Sequence, residues 1–562
     1  MAYGSQLSEA LDPSPQRKSR GAFFTPPELA DFIAGYAIVD RDDRVLEPAC
    51  GEAEFMRAAT DRLMRLGATS QQVEHGLVGC EIHEESAVAA RCRLGALGVS
   101  PHIEVVDFFD KEPFPDQVYE AVIGNPPYIR YQEFTGEQRR KARESAFSMG
   151  VRLDALASSW APFVVHSARF LAEGGRLGFV LPAELLTTNY AAPVRRFLIE
   201  SFSEVKVVLF ERPVFPEVQE EVVLLCAGGF RQGSSRCIAL YQVDSVAELE
   251  RAGFLSVEVS GDGRWPVGRA AYDAQTLLSS LGDVSIVALS TYGDIRLGAV
   301  SGANDFFALT ESRVRELELA EDDVIPLCPP GSKSLRTLTF GTEDLRCLRD
   351  AGKQTFLFSP PDQPSEAAQR YIRQGEIEGI AQRYKCRSRS PWWRVPGLRV
   401  CDLFLTYMNG AGPNLCENEA GVVFLNSVHG LTLRAGLDVK FRKLLPMASL
   451  SSVTLLSAEL VGRSYGGGVL KIEPREAARL LVLSPSKLLE CSDALMRVRP
   501  EVERLLAAGK RDAATLKIDD TVFPLLGIGE RDARSLHGLL LELRSRRERR
   551  GKGKAGTEGG GA

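Results

Sequence analysis

Short apolar runs alternate with amphipathic stretches from Arg44 to about Val243. Apolar runs of about four to eight residues predict buried strands, whereas apolar residues that recur every three or four positions predict helices. Strands that alternate with helices favour a doubly wound α/β sheet, which binds ligands beyond the carboxyl ends of its strands. The predicted strands are residues 45–50, 77–82, 103–109, 119–125, 176–182 and 220–230, and the predicted helices are residues 55–66, 86–97 and 153–171.

The pattern loses this regularity after about residue 245. Apolar runs become shorter and are interrupted by Gly, Pro, Asn and Ser, as in residues 326–334 and 462–474, which predicts a second domain of mixed α/β structure. A third region is rich in Leu and Arg at helical spacing. The predicted organisation is a flexible leader (1–20), a first α/β domain (21–245), a mixed α/β domain (246–475), a helical region (476–550) and a disordered tail (551–562).

Composition narrows the class of protein. The 562 residues are 44% hydrophobic and 25% charged, which is typical of a globular protein with several domains. The eleven cysteines include no Cys-x-x-Cys pair, which predicts a reduced, cytosolic chain without a metal site. The apolar runs have the length of strands and are too short for a membrane span. The net charge of −6, taken alone, argues against a nucleic-acid partner.

The sharpest chemical signal is the sequence Gly124-Asn125-Pro126-Pro127-Tyr128, directly after a predicted strand. The two prolines stiffen this segment into an extended loop at the carboxyl end of the strand. There the Asn125 side-chain oxygen and the Pro126 carbonyl can accept the two hydrogens of one amino group, and Tyr128 offers a stacking face. Because the lone pair of such an amino nitrogen is delocalised, two acceptors of this kind favour its use as a nucleophile. A proline-rich turn with an incidental asparagine is the alternative.

Carboxylates end the predicted strands that precede this loop. Glu47 opens a tight turn of small residues between the first strand and a helix, where a cofactor can approach the backbone. Glu81 ends the second strand, as the acceptor of ribose hydroxyls does in doubly wound folds. Asp107 ends the third strand, next to Phe108, whose ring suits an adenine. One such carboxylate is often a helix cap, but carboxylates at three successive strand ends predict a cofactor site.

Together these motifs resemble those of the N6-adenine DNA methyltransferases, in particular the Taq I-like γ group. Residues 21–28 (GAFFTPPE) resemble the N-terminal motif of that group, residues 47–55 (EPACGEAEF) its cofactor turn and residues 125–128 (NPPY) its catalytic loop. The resemblance implies a Rossmann-like, class I S-adenosylmethionine-dependent methyltransferase domain over residues 21–245. It also implies a C-terminal, mixed α/β target-recognition domain for DNA over residues 246–475.

The resemblance also assigns roles to single residues. Phe215 is expected to stack on the target base opposite Tyr128. Ala53 stands where the group usually has a second glycine, and since alanine disfavours a positive φ angle, a slightly altered turn is expected. The catalytic loop is expected to consist of Asn125, Pro126, Pro127 and Tyr128. S-adenosylmethionine is expected to contact Thr25, Glu47, Ala49, Cys50, Gly51, Glu81, Ile82, Asp107, Phe108, Asn125 and Pro127.

A basic segment in the second domain carries aromatic residues. Residues 383–399 hold six Lys and Arg and no acidic residue, a composition that suits contacts with phosphates and base edges. A solvated loop around two core tryptophans is the alternative. Residues 383–480 hold 14 basic and 7 acidic residues, so the acidity of the chain lies elsewhere. The expected DNA contacts are Arg383, Lys385, Arg387, Arg389, Trp392, Trp393, Arg394, Arg463 and Tyr465.

The predicted function is site-specific transfer of a methyl group from S-adenosylmethionine to N6 of a flipped-out adenine in duplex DNA, within a restriction-modification system. We expect a monomer in the bacterial or archaeal cytosol, without a metal or a membrane, with double-stranded DNA and a cognate restriction endonuclease as partners. An RNA adenine or a protein glutamine amide stays open as the substrate, because the NPPY motif serves those amino groups as well. A bifunctional restriction-modification enzyme and a DNA-binding module without catalysis are further alternatives.

Overall fold

A computed structural model describes residues 25–114, 118–211, 221–249, 251–259 and 263–552, with only the backbone of residues 283, 284, 465, 466 and 550–552. The predicted leader, residues 21–24, Phe215 and the tail from residue 553 onward lie outside the described residues. By its internal contacts the chain divides into two compact units, Met1–Tyr272 and Asp273–Ala562. We call them the first unit and the second unit.

The first unit is built on one sheet of nine strands. These are β1 Val45–Glu47, β2 Leu77–Glu81, β3 His102–Val105, β4 Tyr119–Gly124, β5 Leu171–Pro182, β6 Phe202–Phe210, β7 Val222–Phe230, β8 Cys237–Val243 and β9 Leu255–Glu258. Their order is β3-β2-β1-β4-β5-β7-β6-β8-β9. Strands β1 to β5 run parallel, and β7 is antiparallel to both β5 and β6. The central strands β1 and β4 are buried at nearly every position, as parallel strands usually are.

Helices connect these strands. They are α1 Pro27–Ala37, α2 Glu54–Arg65, α3 Ser70–Gly76, α4 Glu84–Ala96, α5 Gly136–Ser148, α6 Trp160–Ala168, α7 Glu184–Thr187 and α8 Ala192–Ser201. Local signals set their ends. At the start of α3, for example, Thr69 and Gln72 each accept a hydrogen bond from the backbone N–H of the other, which forms a capping box.

The strand order reverses at β1, which lies between β2 and β4. Leu46 pairs with Val78 of β2 on one side and with Val122 of β4 on the other. Because the three strands are parallel, their carboxyl ends meet at one edge of the sheet. This edge brings Glu47, Glu81 and the loop after β4 together, at the position where open α/β sheets bind ligands.

The helix predicted over residues 153–171 is shorter than expected. It begins at Trp160, and in the non-helical segment before it the Asp154 carboxylate accepts a hydrogen bond from the Leu156 N–H at 2.8 Å. Aspartate side chains stabilise such local turns and compete with helix formation. Every residue of α6 is buried, so the apolar spacing reflects burial on all sides of a short helix.

The second unit contains several smaller sheets. Its strands are β10 Ile286–Ala288, β11 Gly293–Leu297, β12 Ala308–Leu309, β13 Val324–Pro326, β14 Thr339–Phe340, β15 Phe356–Phe358, β16 Leu403–Thr406, β17 Met408–Asn409, β18 Leu415–Asn418, β19 Val428–Leu433, β20 Arg463–Tyr465, β21 Val469–Lys471 and β22 Leu481–Leu483. They form a five-stranded sheet (β11-β19-β16-β18-β14), two three-stranded sheets (β12-β15-β13 and β17-β21-β20) and the pair β10-β22.

Helices surround and follow these strands. After α9 Arg269–Ser280, at the division between the units, come α10 Gly282–Ser285, α11 Asn304–Phe307, α12 Glu311–Glu316, α13 Thr342–Asp350, α14 Glu366–Ile377, α15 Tyr384–Arg387, α16 Phe441–Ala448, α17 Ser452–Val461, α18 Pro474–Ala477, α19 Pro485–Glu490, α20 Ser492–Ala507, α21 Arg511–Val522 and α22 Glu530–Lys552. The predicted α/β fold class is confirmed. In the described part of the chain no single helix is long and apolar enough to span a membrane. Helices α16 and α17 together have the length and composition of a span, but they are bent by 72° relative to each other.

Candidate active site

The turn that follows β1 leaves its backbone open. Gly51 adopts a φ of +50°, and a Cβ atom built at this position would have no described heavy atom within 4 Å. Ala53 adopts φ 65° and ψ 38°, so the left-handed conformation usually taken by glycine is here taken by alanine. For a residue with a side chain this conformation costs about 1 kcal/mol. Helix α2 starts directly after it, and the Met56 N–H donates to Glu47 Oε2 at 2.9 Å.

Glu81, at the end of β2, connects this turn to the next loop. Its Oε2 accepts a hydrogen bond from the Gly51 N–H and its Oε1 accepts one from the His83 N–H, both at 2.9 Å. The Glu81 side chain is buried, whereas the neighbouring Ile82 is exposed. Each carboxylate oxygen has a further lone pair, so a carboxylate fixed in this way can also accept a hydrogen bond from a ligand hydroxyl.

Asp107 and Phe108 follow β3. Asp107 Oδ1 accepts a hydrogen bond from the Phe109 N–H at 3.1 Å and caps a single 3₁₀ turn. The buried Phe108 ring packs against Phe163, with ring centroids 5.1 Å apart, and against His166, at 4.6 Å. Burial lowers the pKa of His166 to about 4, so this imidazole is a neutral packing group near pH 7.

A cavity of about 460 Å³ lies beyond the carboxyl ends of these strands. Every residue that was predicted from the sequence to contact the cofactor lines this cavity: Thr25, Glu47, Ala49, Cys50, Gly51, Glu81, Ile82, Asp107, Phe108, Asn125 and Pro127. Among the described residues, its lining includes six Asp and Glu side chains and one arginine, Arg93. Since such a wall is anionic, it favours a positively charged ligand over a phosphate.

Burial also changes the ionisation of groups in this wall. It raises the pKa of Glu47 well above the usual range, and the hydrogen bond from the Met56 N–H offsets part of this effect. The neighbouring Glu81 carboxylate raises the Glu47 pKa further. Burial likewise raises the pKa of the Cys50 thiol, which makes Cys50 a neutral apolar part of the wall.

Asn125 follows β4 and contacts Thr25. Its Nδ2 donates to Thr25 Oγ1 at 3.2 Å. Its Oδ1 is buried and has no hydrogen-bond partner among the described residues. A buried acceptor without a partner costs about 1–3 kcal/mol, so an unpaired amide oxygen in a cavity wall indicates a ligand donor.

Tyr128 is fixed at the other end of the NPPY loop. It is buried, and its hydroxyl donates to the Val180 carbonyl of β5 at 2.9 Å. Pro127 lines the cavity together with Asn125, whereas Pro126 and Tyr128 are not among the described lining residues. Every second residue of the loop, Asn125 and Pro127, therefore contributes to one side of the cavity.

Sequence reasoning missed part of the cavity wall. Glu133, Phe134 and Gln138 line it from the segment after the NPPY motif, and Ser159 and Phe163 line it from the start of α6. The apolar spacing before and within α6 included Phe163. Ser159 carried no signal, because a single serine in a local sequence of serines and alanines matches no motif.

Two arginines of the basic segment hold other parts of the second unit. Arg383 forms two hydrogen bonds with the Asp305 carboxylate, at 2.8 and 3.0 Å. Arg389 donates to the backbone carbonyls of Ser301, at 2.9 Å, and Val300, at 2.5 Å. Arg389 therefore fixes the segment to the loop after β11, and Arg383 fixes it to α11.

The two tryptophans are half-buried. Trp392 packs against Phe306, with ring centroids 5.5 Å apart, and its Nε1 donates to Glu376 Oε1 at 3.1 Å. The Trp393 ring has the Arg394 guanidinium 5.5 Å from its centroid. Arg394 also pairs with the Asp362 carboxylate. These contacts are internal to the second unit.

The remaining predicted DNA contacts differ in exposure. Arg463 pairs with the buried Glu476 at 2.6 Å but keeps 64% of its side chain exposed. Only the backbone of Tyr465 is described, and Phe215 lies outside the described residues. Lys385 and Arg387 are exposed, and neither forms an ion pair within the described part of the chain.

The exposed cations flank an exposed aromatic ring. Tyr384 is 68% exposed, with the Lys385 Nζ and Arg387 Cζ atoms 5.3 and 5.6 Å from its ring centroid. Between them Cys386 is fully buried and contacts the Ser301 carbonyl. The one-turn helix α15 is therefore anchored by Arg383, Cys386 and Arg389 and exposes Tyr384, Lys385 and Arg387.

Comparison with known proteins places both units. The N-6 DNA methylase family model matches residues 12–228, and the model for the C-terminal domain of the type II methyltransferase M.Eco57I matches residues 271–523. The chain is 24% identical to the type II methyltransferase M.AccI of Acinetobacter calcoaceticus, over 90% of this chain and 93% of that protein. It is 26% identical to M.XamI of Xanthomonas campestris pv. amaranthicola, over 84% of this chain and 87% of that protein.

A solved structure has a similar fold. The type IIL restriction-modification enzyme MmeI, in complex with DNA, matches with a TM-score of 0.55 and 13% identity over 93% of this chain and 75% of that chain. The relatives do not favour an RNA or protein substrate, and the methyltransferase family implies the use of S-adenosylmethionine and DNA. The sequence-based identification is thus confirmed: residues 12–228 match the N-6 DNA methylase family, and the chain is an adenine-specific DNA methyltransferase.

Proposed function

We propose that the chain binds S-adenosylmethionine in the cavity of the first unit and methylates N6 of an adenine rotated out of duplex DNA. The observation that carries this proposal is Asn125 Oδ1, a buried acceptor without a partner among the described residues. This oxygen belongs to a residue that lines the cavity, and the other lining residues suit a positively charged nucleoside. An adenine amino group supplies the missing donor.

The cavity residues fit S-adenosylmethionine. This cofactor carries net positive charge, so the acidic wall attracts it, whereas the same wall would repel a cofactor that bears phosphates. The open backbone at Gly51 leaves room for close approach. Glu81 would hold the ribose hydroxyls, and Asp107 and Phe108 would hold the adenine. The remaining contacts would come from Thr25, Glu47, Ala49, Cys50, Ile82, Asn125 and Pro127.

When bound, S-adenosylmethionine would supply a methyl group on a positively charged sulfur. An N–C bond would form as the S–C bond breaks, its electron pair would stay on the sulfur, and one amino proton would pass to water. The chain itself orients the nucleophile. Asn125 Oδ1 and the Pro126 carbonyl each accept a hydrogen bond from the amino group. These two hydrogen bonds orient the lone pair of the nitrogen toward the cavity. Such fixed dipoles and a near-attack geometry account for large rate effects in enzymes.

The target adenine has to leave the duplex to reach this loop. Base rotation costs a few kcal/mol, and stacking in a pocket recovers part of this cost. Tyr128 would stack on one face of the base, because its ring is fixed through the hydroxyl hydrogen bond to Val180. We propose Phe215 as the second stacking ring.

DNA contacts outside the pocket belong to the second unit. Lys385 and Arg387 are the best candidates for phosphates, because their charges are exposed and unpaired within the described residues. Arg463 can reach a phosphate with the exposed part of its guanidinium. We further propose that the enzyme acts as a monomer in the bacterial cytosol, alongside a restriction endonuclease that cleaves the same site.

Expression in a host that lacks adenine methylation tests the function directly. Single-molecule sequencing of the host DNA should find N6-methyladenine at one consistent sequence in cells with the gene and none in cells with the empty vector. Purified protein with labelled S-adenosylmethionine should label duplex DNA that contains this sequence. Label in RNA or protein with unmodified DNA would contradict the proposal. Cleavage of unmethylated DNA with magnesium would instead support the bifunctional alternative.

A further inference from the structure

Ser159 makes three hydrogen bonds to the segment that ends the NPPY motif. Its hydroxyl accepts from the Ile129 N–H at 2.8 Å and donates to the Pro127 carbonyl. Its own N–H donates to the Ile129 carbonyl at 3.0 Å. The side chain is 1% exposed, so water does not replace these contacts.

These hydrogen bonds fix both peptide groups next to Tyr128. The Pro127 carbonyl belongs to the peptide group before Tyr128, and the Ile129 N–H belongs to the one after it. The proline ring sets the φ angle of Pro127 but leaves its ψ angle free. A rotation about that ψ angle would move Tyr128 relative to Asn125, and the Ser159 hydroxyl restrains this rotation.

Ser159 is itself held by rigid structure. It directly precedes α6, whose first residue, Trp160, is fully buried. The Trp160 Nε1 donates to the Tyr190 hydroxyl at 2.9 Å. At the other end of the restrained segment, the Tyr128 hydroxyl is bound to β5. The backbone and the ring of Tyr128 are therefore held from separate elements.

We propose that Ser159 is a positioning residue for methyl transfer: one hydroxyl bound to both peptide groups that flank Tyr128 sets where the target adenine stacks relative to Asn125. This rests on the proposed function, since it assigns Ser159 to the same site. Ser159 acts through Tyr128 and takes no part in the bond changes.

The test is the single-turnover rate of methyl transfer at saturating cofactor and saturating duplex with the mapped site. Ser159→Ala should lower this rate about 10- to 100-fold, as small misplacements in an active site do. The dissociation constant for S-adenosylmethionine, from calorimetry, should stay within about twofold, because the Ser159 hydroxyl is engaged by Ile129 and Pro127 and is not one of the expected cofactor contacts. Ser159→Thr, which keeps the hydroxyl, should recover most of the rate.

Ser167→Ala is the matched control. Ser167 is a fully buried serine of the same α6, and its hydroxyl has no partner among the described residues. This variant removes the same atoms without a loop contact and should keep the wild-type rate. If Ser159→Ala does not fold, Ser159→Cys takes its place, because a thiol has a similar size but is a weak hydrogen-bond donor and acceptor. The same changes in rate and in cofactor dissociation constant are then expected.

A double-mutant cycle tests whether Ser159 acts through Tyr128. If it does, Ser159→Ala should add little to the loss caused by Tyr128→Ala, because the restrained ring is already gone. Multiplied effects would contradict the proposal, as would a wild-type rate for Ser159→Ala, a Thr variant as slow as the Ala variant, or a loss explained by weaker cofactor binding. If the wild type itself does not methylate DNA, the proposed function fails, whereas an active wild type with an unaffected Ser159→Ala variant rejects only the role of Ser159.

Discussion

The two units use polar side chains in opposite ways. In the first unit the cavity keeps an amide oxygen, Asn125 Oδ1, buried and without a partner among the described residues. In the second unit most cations of the basic segment have partners: Arg383 binds Asp305, and Arg389 binds two backbone carbonyls. A short, stiff backbone motif leaves its acceptors for a ligand. A long, flexible arginine can satisfy its donors within the protein as well as on a phosphate, so a basic sequence alone does not identify a DNA contact.

Substitution of Asn125 should have the largest effect on activity. Asn125→Ala removes the amide oxygen that we assign to the amino hydrogen, and loss of one such fixed dipole typically lowers a rate about 100- to 1,000-fold. Single-turnover methylation of the mapped duplex measures this loss. Cofactor affinity should change little, because ten other predicted contacts line the cavity. If cofactor affinity fell as much as the methylation rate, Asn125 would act in cofactor binding and not on the amino group. The contrast between the two units would then be weaker.

Substitution of Arg547 should have the largest effect on the stability of the second unit. Its guanidinium forms two hydrogen bonds of 2.8 Å with Glu459 and one of 2.7 Å with the Gly410 carbonyl, and both charged side chains are at most 5% exposed. Arg547→Ala leaves the buried Glu459 charge without its partner, which typically costs about 3–5 kcal/mol. Thermal and urea unfolding measure this change.

Arg534 provides the control on the same helix. It pairs with Glu530 at 3.5 Å, and both side chains are more than three-quarters exposed. Arg534→Ala should therefore leave the melting temperature nearly unchanged. Equal losses for Arg534→Ala and Arg547→Ala would show that the internal pairing of Arg547 does not stabilise the second unit.

Features of the site that come from short motifs could be predicted from the sequence, whereas contacts between distant segments could not. The NPPY loop, the β1 turn and the strand-end carboxylates could be predicted because the parallel sheet brings the carboxyl ends of its strands to one edge. The left-handed Ala53 shows the limit of this reasoning, since the turn keeps a positive φ angle without glycine. Ser159 and the partners of Arg389 could not be predicted, because they depend on contacts between segments that are distant in sequence.

Asp519 should make the stability of the second unit depend on pH. It accepts hydrogen bonds from the N–H and hydroxyl of Ser452, yet burial raises its pKa to about 7. The folded state therefore binds a proton that the unfolded state releases near pH 4. The stability from this group is complete below pH 4 and falls by up to about 4 kcal/mol as the pH rises to 7.

Asp519→Asn should remove this contribution, so the melting temperature of the variant should fall less than that of the wild type between pH 4.5 and pH 7.5. His537 Nδ1 lies 3.4 Å from the Ser452 hydroxyl, so a control variant beside Asp519 is necessary. Asp520→Asn changes the adjacent exposed carboxylate, which makes the smallest contribution to the raised pKa of Asp519, so this variant should keep nearly all of the wild-type pH dependence. If Asp519→Asn has the wild-type slope as well, the dependence comes from another group.

The smallest predicted effect separates anchoring cations from DNA-binding cations. Lys385→Ala and Arg387→Ala should each reduce the slope of log affinity against log salt by about 1, because each removes one phosphate contact. Their melting temperatures should not change, since both side chains are exposed. Arg389→Ala should do the reverse: it removes the Arg389 hydrogen bonds to the Ser301 and Val300 carbonyls, so the melting temperature falls while the protein that is still folded keeps the wild-type slope. Equal slopes for all three variants would mean that internal pairing does not exclude DNA contact, because a guanidinium has donors enough to serve both.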